Sequence, residues 1–259
     1  MGFSIDYVVL CSKGKVRTQN QDNFWCQGHY LDHKNAGLKE GIAGSVDFGK
    51  WPAFAVFDGM GGESQGEMAA YIAAKAFDAC YPLMHAGSSK SFLSSVFIKM
   101  NEDICDYNDK SNVIGHMGST AALLLFSGNK AYIGNIGDSK IFLYRGGILR
   151  QISQDHTANM AQYAKPPLSQ HLGIPQEEFV IAPYITSFTC KHNDLYLLCS
   201  DGLTDVVSLN DMEKIIRAGK DVQGRADELM RLAMVGGGID NTTIIMCELR
   251  KTRWNLNLA

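Results

Sequence analysis

No apolar run in this chain approaches the ~20 residues that cross a bilayer, so a membrane-spanning helix is not expected. Its start, Met1-Gly2-Phe3-Ser4-Ile5-Asp6, lacks the basic segment and long apolar core of a secretory leader. Asp6 also stands where N-myristoylation requires Ser or Thr. There is no run of lysine or arginine, and the formal net charge is −3, which argues against nucleic acid as the main partner. The seven cysteines are odd in number and contain no C-x-x-C pair, and several lie inside apolar runs. A disulfide framework and a zinc cluster are both disfavoured, and a reducing, cytoplasmic compartment is expected. With six prolines there is no Pro/Ser-rich linker, and no internal repeat breaks the 259 residues. One domain over residues 1–259 is expected.

What the chain does have is a repeated strand signal. Phe3 to Cys11, Ala53 to Phe57, Thr120 to Phe126, Lys130 to Ile136, Lys140 to Tyr144, Ile148 to Ile152, Leu195 to Cys199 and Thr243 to Leu249 read as strands. Phe179 to Thr189 is a further candidate, interrupted by Pro183. The turns Ser127-Gly128-Asn129 and Arg145-Gly146-Gly147 join neighbours as hairpins, which makes the strands antiparallel. Helical periodicity covers Glu63 to Met84, Ser89 to Tyr107, Leu209 to Ala218 and Val222 to Val235. Two early helices, a block of strands and two late helices predict an α+β fold, a four-layer α-β-β-α sandwich of two mainly antiparallel sheets.

Four aspartates lie at ends of apolar runs: Asp22, Asp58, Asp201 and Asp240. An aspartate beside a strand ordinarily starts a turn or caps a helix. Four such carboxylates, rigidly aimed and unable to stay buried and charged alone, point instead to one shared partner, a pair of hard cations. Two-metal phosphate hydrolysis needs oxygen ligands around ions about 3.5–4 Å apart, with room for water. Gly59 lets the backbone bend so that a carbonyl also faces a metal. Arg17, five residues before Asp22, offers a fork of donors to a phosphate.

The motifs run in order along the chain: Arg17-x-x-Asn20-Gln21-Asp22-Asn23, Val56-Phe57-Asp58-Gly59-Met60-Gly61-Gly62, Gly118-Ser119-Thr120, Asn135-Ile136-Gly137-Asp138-Ser139, Ser153-Gln154-Asp155-His156-Thr157, Cys199-Ser200-Asp201-Gly202 and Asp240-Asn241-Thr242-Thr243. Together they resemble the metal-dependent serine/threonine protein phosphatases of the 2C type, and Met60 resembles the bacterial branch. The resemblance implies hydrolysis of phosphoserine and phosphothreonine by a metal-bridging hydroxide, without a phosphoenzyme, using two Mn²⁺ or Mg²⁺ ions. It implies that Asp58 bridges both metals and Gly59 supplies a backbone oxygen. Asp201 and Asp240 then ligate the first metal, Asp22 supports the cluster through water, and Arg17 binds the substrate phosphate. Asp138 matches a third-metal position. Asn241 matches a motif position open to a turn role or a site role. The partners implied are phosphorylated proteins, a serine/threonine kinase among them, acted on by a monomer.

Two departures from the family pattern matter. Many eukaryotic members carry His as a general acid after Asp-Gly, whereas Met60 has no proton to give. General acid catalysis is worth roughly 10²–10⁴-fold, so an ester with a good leaving group, such as p-nitrophenyl phosphate, should be hydrolysed readily. The segment after His156 looks trimmed as a flap, and Gln27 to Trp51 is longer than expected, as a solvated hairpin insertion or a partner-binding loop.

Other signals compete. Cys11 and Arg17 have the C-x5-R spacing of a cysteine-dependent phosphatase, but no helical pattern follows Arg17. Gly59-Met60-Gly61-Gly62 lacks the spacing of a nucleotide phosphate loop. The seven histidines show no ligand spacing, and a structural role is expected for His156. A catalytically weak pseudophosphatase is the remaining alternative, disfavoured because Asp22, Asp58, Asp201 and Asp240 are all present.

Overall fold

The structure, a computed structural model, describes residues 2–61, 65–111, 116–158, 166–218 and 221–252. Strands β1 (Gly2–Ser12), β2 (Asp22–Cys26), β3 (Ile42–Asp47) and β4 (Ala53–Met60) precede helices α1 (Gly66–Cys80) and α2 (Ser89–Lys110). Then follow β5 (Gly118–Ser119), β6 (Ala121–Ser127), β7 (Lys130–Ile136), β8 (Lys140–Arg145), β9 (Ile148–Gln151), β10 (Tyr184–Thr189) and β11 (Leu195–Cys199). Helices α3 (Asp201–Thr204), α4 (Leu209–Ala218) and α5 (Val222–Val235) lead to β12 (Thr242–Thr252).

One sheet runs β3-β1-β12-β11-β8-β9 and the other β10-β7-β6-β4-β2, with β5 paired to β4. Every pairing in both is antiparallel. The alternation of side chains along a strand decides the layers. In β4, Phe54 and Val56 pack between the sheets against Val9, Tyr196, Leu198 and Ile245, while Ala53, Ala55 and Phe57 face α1 and α2. In β12, Ile245 and Cys247 face inward, while Ile244 and Met246 pack against α4 and α5. Three apolar layers between four layers of structure give the expected sandwich.

The helices α4 and α5 lie where their periodicity places them. The apolar pattern from Glu63 to Met84 divides into α1 and a 3-10 turn at Tyr81–His85, where Pro82 removes a backbone donor; Glu63 and Ser64 lie outside the described residues. The run to Tyr107 extends to Lys110, and the Phe179–Thr189 candidate narrows to β10, after Pro183.

Strands β2 and β3, and the two-residue β5, were not expected. All five residues of β2 are buried, because the strand lies between β1 and α1, and a strand buried on both faces shows no alternation. Strand β3 lies inside the Gln27–Trp51 insertion and forms a sheet edge on β1, so this stretch is not wholly a solvated hairpin.

Candidate active site

Alternation also builds the site. Phe24 of β2 and Phe54 and Val56 of β4 face the gap between the sheets, and Asp22 and Asp58 continue those same faces. The two aspartates are paired directly across the β2–β4 ladder. Asp201 follows β11 and Asp240 precedes β12, two neighbouring antiparallel strands of the opposite sheet. Antiparallel pairing brings the start of one strand against the end of the next, so all four carboxylates come to one end of the sandwich. Asp22 and Asp240 lie at strand starts, and Asp58 and Asp201 at strand ends.

A cavity of about 390 Å³ opens there, lined by Arg17, Gln21, Asp58 through Gly61, Thr120, Asp138, Pro166, Pro167, Leu168, Asp201, Asp240 and Asn241. It brings together every expected site residue except Asp22, which lies buried behind the wall with 1% exposure. Gly62 and residues 159–165, part of the flap expected after His156, lie outside the described residues.

The charges are crowded. Burial, then the charges of Asp22, Asp201, Asp138 and Asp240, hold the Asp58 carboxyl well above the usual carboxylate range. Burial pushes Asp22 up to about 7, opposed by hydrogen bonds from Ser200 and Thr243. Ser200 Oγ and Thr243 Oγ1 each donate to Asp22 Oδ2 at 2.7 Å, whereas the buried Asp22 Oδ1 has no hydrogen-bond partner among the described residues. An orphaned carboxylate oxygen and hard oxygen donors beside a repelled charge suit divalent cations of the magnesium and manganese kind. Among the described residues no three acidic, cysteine or histidine side chains form a ready-made cage, as expected for like charges that hold each other apart.

At the mouth, Arg17 Nη2 donates to Asp240 Oδ2 at 2.7 Å, and this bond raises the Arg17 pKa further.

Several residues that the motifs alone did not assign hold this arrangement. Asn241 donates to the carbonyls of Lys13 and Gln19 at 2.8 and 2.9 Å and accepts from Gln21 N at 2.8 Å. Its open role is therefore that of a clamp on the loop carrying Arg17. Thr120 N donates to Asp58 O, and Asp58 N donates to Thr120 Oγ1. A Cβ on Gly59 would lie 1.9 Å from Gly66 O, and one on Gly202 would lie 1.9 Å from Asn241 O. Only glycine permits such approaches. For Gly59, Gly202 and Asn241 the signal available was a small or amide residue directly after an aspartate.

His156 is buried; its backbone N donates to Gly137 O and its carbonyl accepts from Ser169 N, and burial lowers its ring pKa. Cys11 lies inside β1, buried, and is not part of the cavity lining.

The family model for protein phosphatase 2C matches residues 14–162. The serine/threonine phosphatase stp of Listeria monocytogenes is 26% identical over 257 residues, covering 91% of this chain and 92% of that protein. The serine/threonine protein phosphatase PstP of Mycobacterium tuberculosis is 26% identical over 253 residues, and the matched part is 45% of its length. The crystal structure of the PstP catalytic domain in complex with two manganese ions superposes with a TM-score of 0.78 at 25% identity, covering 96% of this chain and all of that one. With the model matched over more than half of the chain and the fold and motif order in agreement, the chain belongs to the protein phosphatase 2C family.

Proposed function

We propose that this chain is a single metal-dependent catalytic domain that removes phosphate from phosphoserine and phosphothreonine in proteins. The observation that carries this reading is the buried Asp58, opposed across the sheet by Asp22 and ringed by the charges of Asp201, Asp138 and Asp240, with Arg17 at the mouth of the same cavity. Asp58, the Gly59 carbonyl, Asp201 and Asp240 would hold two divalent ions, with Asp22 in support behind them. The ions would be Mn²⁺ or Mg²⁺; the catalytic domain of a relative carries two manganese ions. Asp138, which lines the same cavity, would serve a third ion. When bound, such ions activate water toward neutral pH and neutralise charge on the phosphate.

The chain's own contribution is positioning and electrostatics. Arg17 exchanges its bond to Asp240 for a fork of bonds to the phosphate, where it offsets charge on the equatorial oxygens. Thr120 fixes the backbone of Asp58 from both sides, and Ser200 and Thr243 orient Asp22. Met60 lines the cavity and holds no transferable proton, so no side chain at that position protonates the leaving serine or threonine oxygen. No nucleophilic side chain is needed, and no phosphoenzyme forms.

The partners are phosphorylated proteins, including a serine/threonine kinase. Cytoplasmic location and a monomeric state complete the proposal; no helix among the described residues is long and apolar enough to cross a membrane. The deciding experiment is hydrolysis of p-nitrophenyl phosphate and of a phosphothreonine peptide with Mn²⁺, comparing wild type with Asp201→Asn. Activity should fall by at least 10²-fold in the variant and vanish with EDTA. Equal rates in the two proteins, or rates untouched by EDTA, would sink the assignment and leave the pseudophosphatase reading.

A further inference from the structure

We propose that the ridge beside Arg17 is a docking surface for the protein substrate, selecting phosphorylated segments that carry a bulky apolar residue and acidic residues near the phosphate. The inference rests on the phosphatase reading above and adds a substrate class to it.

Two loops form the ridge. The amides of Lys15 and Val16 both donate to Gly238 O, at 2.8 and 3.3 Å, so the segment before Arg17 runs alongside the segment before Asp240. Their approach is tight. A Cβ on Gly14, whose φ is +77°, would lie 2.4 Å from Asp240 O and 2.7 Å from Gly238 O. Gly238, with φ of +54°, lies under the stem of Lys15, whose Cγ is 3.1 Å from the position of an added Cβ. These backbones are therefore locked together before any substrate arrives.

On this base stand two apolar side chains that are each more than half exposed. Val16 is 64% exposed and immediately precedes Arg17; Ile239 is 56% exposed and immediately precedes Asp240. Arg17 and Asp240 are joined at 2.7 Å and line the cavity, so the two apolar groups flank its rim. Single exposed valines or isoleucines are ordinary on a protein surface. A pair held rigidly at the lip of a concave polar site is not scattered exposure, and preorganised apolar contacts of this kind give affinity at little entropic loss.

The charge on the ridge is positive. Among the described residues neither Lys13 nor Lys15 has a carboxylate partner, and Lys15 is exposed. The cavity itself is lined by carboxylates, which repel an acidic peptide unless cations intervene. Lys13, Lys15 and Arg17 thus mark a side on which acidic residues flanking a phosphate are received. Basic flanks would meet Lys13 and Lys15 as like charges.

The test uses Mn²⁺-loaded protein and two phosphothreonine peptides of equal length, one with Leu and Glu around the phosphate, the other with Gly and Lys. Each kcat/KM is divided by that for p-nitrophenyl phosphate, which reaches no ridge residue, so a variant that folds poorly is corrected for. Wild type should prefer the Leu/Glu peptide by at least about fivefold, mainly through KM. The double variant Val16→Ser/Ile239→Ser should reduce that preference by about half or more, and Lys15→Glu should shift it toward the Lys-flanked peptide. Equal use of the two peptides by wild type, or a preference unchanged in both variants, would overturn the docking surface while leaving the phosphatase reading intact. Failure to hydrolyse p-nitrophenyl phosphate and both peptides would remove the phosphatase reading and the surface with it.

Discussion

The Arg17 guanidinium and the Asp240 carboxylate, 223 residues apart in sequence, meet at 2.7 Å across the mouth of the cavity. Under the proposed function each takes a second partner, phosphate for Arg17 and a metal ion for Asp240. The pair would then be a mutual placeholder that aims both groups and loosens when phosphate and metal bind. Side-chain exposures of 53% and 25% keep the bond in the range of partly screened pairs, roughly 0.2–1 kcal/mol, weak enough to exchange.

Arg17→Ala should therefore act in two opposite directions. The kcat/KM for phosphate esters should fall roughly 10²-fold through loss of a charged donor. The Mn²⁺ concentration for half-maximal activity should fall by up to about fivefold, because Asp240 no longer has a competing cation. Arg17→Lys should restore little of the first effect, since a point charge does not reproduce the fork. A metal titration followed by steady-state kinetics checks both; a higher Mn²⁺ requirement in Arg17→Ala would contradict the placeholder role.

Asn241→Ala should release the loop that carries Arg17. The substitution leaves the Lys13 and Gln19 carbonyls and the Gln21 amide without their partner. A buried group left unpaired costs about 1–3 kcal/mol, which for a chain of this size lowers Tm by several degrees, at about 2–4 °C per kcal/mol. KM should rise more than kcat falls, because positioning of the phosphate donor is lost rather than chemistry. Calorimetry with steady-state kinetics tests this, and an unchanged KM alongside a lowered Tm would reduce Asn241 to a purely structural residue.

Gly202→Ala should disable the enzyme more severely than its size suggests. The added methyl would overlap the Asn241 carbonyl at 1.9 Å and approach Thr242 Oγ1 at 2.8 Å, both backed by β12. The turn carrying Asp201 must then move away from the turn carrying Asp240. Loss of most Mn²⁺-dependent activity, with a reduced Mn²⁺ affinity by calorimetric titration, is expected. Wild-type metal affinity in this variant would show that the two turns are not coupled as the geometry indicates.

Alkylation should leave the enzyme untouched. Burial, assisted by the Asp22 charge, pushes the Cys11 thiol up to about 12, and the side chain is 3% exposed. A thiol with that pKa is about 10⁻⁵ ionised at pH 7, and only the thiolate is a nucleophile. Raising pH toward 9 increases the thiolate to only about 10⁻³, so iodoacetamide should not inactivate the folded protein at either pH. Rapid inactivation protected by phosphate would revive the cysteine-phosphatase spacing that Cys11 and Arg17 share.

Much of the fold was legible because its elements are strongly patterned. Helices α4 and α5 carry one-sided apolar faces, and the hairpins β6–β7 and β8–β9 are announced by their turns. Strand β2 was not legible, since Asp22-Asn23-Phe24-Trp25-Cys26 is buried on both faces and opens with polar residues. Strand β3 was missed for the opposite reason: Ile42-Ala43-Gly44-Ser45-Val46-Asp47 is a half-exposed edge strand without a strongly apolar run. Of the site, the aspartates and Arg17 could be named from their motifs, whereas Asn241, Thr120, Ser200, Thr243 and Gly202 act through contacts with residues distant in sequence.

The sequence by itself named the candidate side chains Asp22, Asp58, Asp201, Asp240 and Arg17, and it put at position 60 a methionine with no proton to give. Local chemistry and period-two patterning are properties of short segments, so they survive without a fold. Tertiary structure alone decided that Asp22 stands behind the cavity wall rather than in it, that Arg17 holds Asp240, and that Val16 and Ile239 share one rim with Lys15. Those relationships depend on the register between β2 and β4 and on the packing of one loop against another, and a register shift of one residue would turn the same side chains to opposite faces.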